Sequence, residues 1–266
     1  MFMPKMTDLR GSCFAFARGA LSLLFPLACD FCGDDLQVSS VPHSPRDRLC
    51  STCREKILAT SSARACHRCA ATLGPFGGSS KGCDLCWRER FAFEQVIRLG
   101  RYEDELAHAC LALKRFSGYR LGRTLAELLV EARRLEIDSF RPDCVISVPL
   151  HWTRRLVRGY DQSATLADEV ARVLGIRRDR ESLHRRRATA YQASLSPTDR
   201  RKNVKNAFDA KPNARLVGAR VLLVDDILTT GATAHHSAAA LRGAGASCVA
   251  VAVLARGENA PRRSFG

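Results

Sequence analysis

Apolar and polar positions alternate in two regimes along this chain. Up to about residue 90 there are no long periodic runs. A short apolar stretch over residues 14–25 reads as a helix, and a cysteine-punctuated segment follows, with loop-like composition at residues 39–45 and 74–82. Beyond it the periods of regular structure set in. Residues 96–102 read as a strand. Residues 105–114 and 121–135 carry apolar side chains at three and four spacing and predict two amphipathic helices. The apolar run 145–148 predicts a buried strand, and residues 163–174 a helix that Gly175 can end in the left-handed conformation. Residues 177–207 are basic, polar and weakly periodic, which predicts a loop that is mobile in part. A strand over 221–225, a helix running to Arg242 with Gly243 and Gly245 beyond it, and a strand over 248–255 complete a βαβ unit. The expected class is α/β, a parallel sheet flanked by helices. Four segments follow: a helical leader over 1–28, a cysteine region over 29–90, the α/β domain over 91–256 and a flexible tail over 257–266.

Composition narrows this picture. At 266 residues and 46% hydrophobic the chain can bury one large core or two unequal ones. No stretch reaches the ~20 apolar residues of a membrane helix. Residues 19–28 are apolar, but Arg18 interrupts the run before them and Pro26 lies near their end, a poor match to an export signal. The expected compartment is cytoplasmic. Lys and Arg number 42 against 27 Asp and Glu, a formal net charge of +15. The excess is concentrated: residues 151–205 hold fourteen Lys and Arg against six Asp and Glu, a net of +8. A strip of this kind is either a solvated face or a contact for an anionic partner, polyphosphate or nucleic acid.

Eight of the twelve cysteines form four Cys-x-x-Cys pairs: Cys29/Cys32, Cys50/Cys53, Cys66/Cys69 and Cys83/Cys86. A secreted disulfide scaffold would be shorter and less regular. One such knuckle offers two thiolates from one tight turn, and two knuckles close a tetrahedral zinc site with no open position for substrate. Seventeen residues separate the first two knuckles and thirteen the last two, both ribbon spacings. One or two structural zinc ions are expected. Sequential pairing is simplest, and an interleaved pairing satisfies the same count. Thiol redox chemistry would need a single reactive dithiol rather than eight paired cysteines. His67 and Asp84, inside the knuckles, are expected to be exposed rather than ligating. Cys144 and Cys248 adjoin buried strands and read as core residues.

The densest chemistry lies in VLLVDDILTTGAT, residues 221–233. Four apolar residues make a buried strand, and Asp225 and Asp226 sit at its carboxyl end, where parallel α/β sheets bind ligands. Thr229, Thr230, Gly231, Ala232 and Thr233 then enter a helix, whose first N–H groups and dipole suit a phosphate. The carboxylates suit sugar hydroxyls or a magnesium ion that keeps most of its waters. Either could instead cap the helix. Together the two features make a ribose-phosphate site. A second anion site is offered by the loop after Pro149, where Arg154, Arg155 and Arg158 present guanidinium forks. If this strand neighbours the first, those arginines can reach a pyrophosphate on the ribose C1. Arg200, Arg201 and Lys202 follow a QASLS segment and could fold over the site as a lid.

The string VLLVDDILTTGAT resembles the PRPP-binding motif of type I phosphoribosyltransferases. The Cys-x-x-Cys pairs, RYEDEL…LK, PLHWTRRLVRGYDQS, QASLSPTDRRKNV and VLLVDDILTTGAT stand in the order of the ComF family, across roughly residues 20–256. That resemblance implies a zinc-binding front end on a phosphoribosyltransferase-like domain and a link to natural competence or the use of imported DNA. It implies that Asp225 and Asp226 hold the ribose hydroxyls, that residues 229–233 wrap the 5′-phosphate and that the three arginines meet pyrophosphate. Where the family carries Phe-Asn, this chain has Tyr160-Asp161, which adds a carboxylate to the anion loop, and the inter-cysteine loop 33–49 is long. Lys114 matches a lysine the family places there; it either helps hold the anion or is a solvated helix lysine. The expected function is a PRPP- and magnesium-binding pentosyltransferase whose acceptor no aromatic or carboxylate betrays. The alternatives are a non-catalytic single-stranded nucleic-acid-binding protein, with Trp87 and Trp152 as stacking residues, and a PRPP-sensing regulator. Single-stranded DNA and competence proteins are the implied partners.

Overall fold

The computed structural model describes residues 28–36, 48–75, 77–79, 82–115, 118–150, 159–186 and 207–257. Helix α1 (Ser51–Leu58) lies within the cysteine region. Strand β1 (Gln95–Arg101) leads into α2 (Asp104–Ala112), α3 (Gly118–Ala132) and α4 (Arg134–Phe140). Strand β2 (Cys144–Ser147) is followed by α5 (Gln162–Leu174) and the short β3 (Arg177–Asp179). Then come β4 (Leu183–Arg185), β5 (Phe208–Ala210), β6 (Arg220–Leu228), α6 (Ala232–Gly243) and β7 (Cys248–Arg256). Five strands form a parallel sheet in the order β1-β7-β6-β2-β3, and β4 pairs antiparallel with β5 beside it.

Alternation along each strand builds two cores, because successive side chains point to opposite faces. Ile97, Leu99, Val145, Leu222, Val224, Ala250, Ala252 and Leu254 pack under α2, α3, α4 and α5. Val96, Cys144, Ile146, Val221, Leu223, Val249, Val251 and Val253 pack against α6 and the β4–β5 pair. With both faces covered, the central strands read as unbroken apolar runs, as parallel strands do. Cys144 and Cys248 are core residues, as is Cys110.

The cysteine region straddles the β1 edge. On one face Cys29, Leu49, Cys53 and Ile57 join the first core, and Asp30 accepts from Thr124 Oγ1 at 3.1 Å and pairs with Arg120 at 3.2 Å. On the other face Arg98, itself buried, donates from β1 to Ala70 O at 2.7 Å and Thr72 Oγ1 at 3.0 Å. The outer edge of β1 is closed in between. Val96 N–H donates to His67 O at 2.9 Å, Arg101 N–H donates to Thr60 Oγ1 at 2.9 Å, and Arg133 donates to the carbonyls of Arg98 at 2.7 Å and Leu99 at 3.3 Å. An open strand edge is a template for unwanted pairing, and these contacts remove it. Gly100 is fixed by this closure: a Cβ there would stand 2.4 Å from Thr60 Oγ1 and 2.8 Å from Leu106 Cδ2.

Three expectations need correction. The helix expected over 121–135 starts at Gly118 and stops at Ala132, and a separate α4 follows. The apolar spacing continues across the bend through Ile137 and Phe140, so periodicity does not register it. Residues 177–179 and 183–185, expected as loop, are strands, and Phe208 opens a third just past the expected loop. Pairing with β2 and neutralisation of Arg177 by Asp179 and of Arg178 by Asp168 override a composition poor in β-formers. Strand β6 runs on to Leu228 rather than ending at Asp225. The leader helix, Cys13, Trp152 and the loop residues 187–206 lie outside the described residues, as does the tail from residue 258.

Candidate functional site

The chain leaves β6 through α6 toward β7, and leaves β2 through α5 toward β3, in opposite directions along the sheet. The two helices therefore cover opposite faces, and a crevice opens between the carboxyl ends of β6 and β2. Pairing between these strands runs from Cys144↔Val221 to Ser147↔Val224. Beyond that point β6 continues beside β7 alone, with Asp225 opposite Val253. Asp225 and Asp226 thus lie at the crevice, where β2 has already turned away.

The start of α5 fills the space that β2 vacates. Ser163 Oγ donates to Asp225 Oδ1 at 2.8 Å, and Gln162 Nε2 lies 3.4 Å from Asp226 Oδ2. Asp225 Oδ1 also accepts from Asp226 N–H at 2.9 Å, and Asp226 Oδ1 from Ile227 N–H at 2.8 Å. Asp225 is thereby held through one oxygen and Asp226 through both. Burial first, and the adjacent Asp226 second, push the Asp225 carboxyl well above the ordinary carboxylate range. Among the described residues the buried Gln162 Oε1 has no hydrogen-bond donor. Asp161 is the N-cap of α5, accepting from Ala164 N–H at 3.0 Å and from Leu150 N–H at 3.3 Å. These two bonds tie the start of α5 to Leu150, just past β2.

Thr229, Thr230, Gly231, Ala232 and Thr233 follow directly and turn into α6. Gly231 is the N-cap at φ 77°, in the left-handed region that favours glycine, and a Cβ there would meet the Phe91 ring at 3.3 Å. Thr230 Oγ1 accepts from Ala232 N–H at 3.3 Å. Paired carboxylates and the amino end of a twelve-residue helix therefore stand within one turn of chain. Lys114 is half-buried near them: burial pushes the Cys110 thiol up, Asp226 adds to the shift and Lys114 opposes it, so both charges act on that one thiol. Arg154, Arg155, Arg158, Arg200, Arg201 and Lys202 lie outside the described residues. Of the expected site, the structure brings together the two aspartates and the 229–233 loop. Sequence reasoning gave Ser163 and Gln162 no role. The signal was available in their position at the start of the helix after the arginine loop, but only the β2–β6 pairing makes it meaningful.

The cysteines gather in sequential tetrads, Cys29, Cys32, Cys50 and Cys53 in one and Cys66, Cys69, Cys83 and Cys86 in the other, each with its sulfurs within 4.8 Å. Four sulfurs about 2.3 Å from one zinc ion stand about 3.8 Å apart. The observed separations fit: 3.9 Å for Cys32–Cys50, 3.7 Å for Cys66–Cys86 and 3.6 Å for Cys69–Cys83. Burial opposes the Cys29 thiolate, yet the N–H groups of Cys32, Cys50 and Phe31 outweigh it and bring its pKa to about 7. Cys50 is also the N-cap of α1, its sulfur accepting from Cys53 N–H at 3.4 Å. Both tetrads could hold zinc. His67 and Asp84 are exposed at the knuckles, away from the ligand sets.

The family described as phosphoribosyl transferase domain matches residues 161–264, a span that contains α5, the aspartates and the 229–233 loop. Competence protein F of Haemophilus influenzae is 31% identical over 239 residues, covering 87% of this chain and 98% of that protein. The DNA utilization protein YhgH of Salmonella typhi is 32% identical over 212 residues, 78% of this chain and 90% of that one. Competence protein ComFC of Bacillus subtilis is 27% identical over 238 residues, 85% and 91% respectively. These likenesses extend over most of the chain, and the chain belongs to the ComF family, with a phosphoribosyltransferase-type domain behind its cysteine region.

Proposed function

We propose that this chain binds PRPP with magnesium in the crevice between β6 and β2 and transfers, or senses, its phosphoribosyl group. The observation that supports this most is the pair Asp225 and Asp226, held by Ser163 and Gln162 immediately ahead of a loop that opens a helix N-terminus. In this reading Asp225 and Asp226 position the ribose 2′- and 3′-hydroxyls and the metal. The N–H groups over 229–233 take the 5′-phosphate. Gln162 Oε1 accepts from a sugar hydroxyl or a metal-bound water. Bound magnesium would supply charge neutralisation for pyrophosphate. Arg154, Arg155 and Arg158 would stabilise the charge that develops as pyrophosphate leaves C1, which is electrostatic catalysis, and Arg200, Arg201 and Lys202 would close over the site. The two cysteine tetrads would each carry a structural zinc. We take residues 29–90 as the zinc-binding unit and 91–256 as the phosphoribosyltransferase-like domain. Among the described residues no helix is long and apolar enough to cross a membrane, and thiolate zinc sites suit the reducing cytoplasm.

Calorimetric titration with PRPP and magnesium tests the site. Binding lost on combining Asp225→Ala with Asp226→Ala is the expected result, and binding undiminished in that double variant refutes it. Pyrophosphate release on adding nucleobases separates a transferase from a sensor.

The relatives' names, competence protein F and DNA utilization protein, support a role in competence or the use of imported DNA. One local observation favours direct contact with single strands: Trp87, directly after the Cys83/Cys86 knuckle, is 56% exposed, with the Arg88 guanidinium 4.4 Å above its ring.

A further inference from the structure

The strand that ends beside the phosphate loop also ends on the second cysteine tetrad. Arg256 is the last residue of β7, in register with Leu228 of β6. Its guanidinium donates from Nε to Cys69 O at 2.9 Å and from Nη1 to Leu228 O at 3.2 Å, and Nη1 also reaches Thr229 O and Gly257 O. One planar cation thus joins a backbone carbonyl of a cysteine knuckle to the two carbonyls at the entrance of the 229–233 loop. Gly257 N–H adds a further bond to Leu228 O at 2.9 Å.

A second tie runs from the other end of the same tetrad. The segment after Cys86 lays Phe91 against Gly231, with Phe93 stacked on it at 4.5 Å. Ala92 N–H donates to His235 Nδ1 at 3.1 Å, on the first turn of α6. Phe91 also packs on the cluster formed by Cys66, Cys69, Cys83 and Cys86. Both sides of the loop are therefore held from one knuckle pair. Cys69 precedes Ala70 at φ 53°, a turn that a metal-closed knuckle would hold in place.

We propose that Arg256 is a positioning residue that fixes the phosphate loop against the second cysteine tetrad, so that metal held by Cys66, Cys69, Cys83 and Cys86 sets the affinity of residues 229–233 for phosphate. The inference rests on reading 229–233 as the phosphate loop. Among the described residues the first tetrad, which joins the core on the opposite face of the sheet, shows no such path. Arg256 touches neither phosphate nor ribose; it acts through the carbonyls whose peptide planes aim the loop N–H groups.

Two measurements on the full zinc-loaded chain test this. Hydrogen exchange over residues 228–235 needs no ligand, and titration with PRPP and magnesium reads affinity. Arg256→Gln is expected to speed exchange over 228–235 and to weaken PRPP about tenfold, the loss of one or two charge-assisted hydrogen bonds, with two zinc ions retained and exchange in α5 at the parental rate. Cys86→Ser, which removes the second zinc alone, is expected to speed exchange in the same peptide, and Cys32→Ser, at the first tetrad, to leave it unchanged. Parental exchange over 228–235 in Arg256→Gln overturns the proposal. Should that variant melt below the assay temperature, Arg256→Lys serves the same purpose, since a point charge cannot bridge Cys69 O and Leu228 O together. A parent chain that binds no PRPP removes the ligand reading, while the exchange results still decide whether Arg256 and the tetrad brace the loop.

Discussion

Asp225 is the residue at which stability and ligand binding pull apart. Its carboxyl is raised by burial and by Asp226. Between the ordinary carboxylate pKa and the raised one the native chain binds more protons than the unfolded chain, so native stability increases as pH falls through the raised value. In magnesium-free buffer Asp225→Asn is expected to melt above the parent at neutral pH, with the gap closing toward about pH 4; melting curves across that range decide it, and a variant no more stable at neutral pH contradicts the assignment. Ser163 poses the converse case. Its hydroxyl is bonded to Asp225 at 2.8 Å, and a hydrogen bond to a charged group contributes about 1.5–3 kcal/mol. Ser163→Ala should weaken PRPP about tenfold or more and also lower PRPP-free melting, since the bond to Asp225 is made without ligand. The aspartates were legible as chemistry because their neighbours in sequence supply the strand and the loop. Ser163 was not, because the partner that gives it meaning is 62 residues away.

At the level of elements, the cysteine region and the sheet edge depend on each other. The loop 60–72 and Arg133 close β1, and Gly100 lies too near Thr60 to carry a side chain. Gly100→Ala forces backbone or Thr60 to move, and a cost of about 1–3 kcal/mol is expected, read from urea denaturation. Metal analysis should return two zinc ions per chain, falling to one in either Cys53→Ser or Cys69→Ser. Zinc should leave on acidification, because each thiol must lose its proton to bind. The knuckle spacing was sufficient to foresee the tetrads, since four sulfurs on two tight turns have few other uses. It left the pairing open, and the sulfur separations decide for the sequential one. The strands β3 and β4 were missed for the opposite reason: their stability comes from neighbours, not from composition.

For the molecule as a whole, a net charge of +15 and the strip over 151–205 remain the features most directly tied to a polyanionic partner. If single-stranded DNA is bound, affinity should fall steeply with salt, and replacing Arg200 and Arg201 should lower the slope by about one to two; a salt-independent signal would argue against phosphate contacts. Sequence by itself determined the α/β class, the central strands, the four knuckles and the pairing of two aspartates with the loop that opens a helix. Each of these depends on residues close together in the chain, where periodicity, tight turns and a strand-to-helix loop are local physics. Tertiary structure alone decided which strands lie side by side. It placed α5 against the aspartates through the β2–β6 register, divided the cysteine region between the two faces of β1 and set Arg256 between a knuckle and the phosphate loop. Such choices turn on burial and hydrogen bonds between segments as far as 187 residues apart, and no pattern read along the chain contains them. VLLVDDILTTGAT therefore places two carboxylates and a helix-opening loop together from sequence, and the fold supplies the residues that hold them in position.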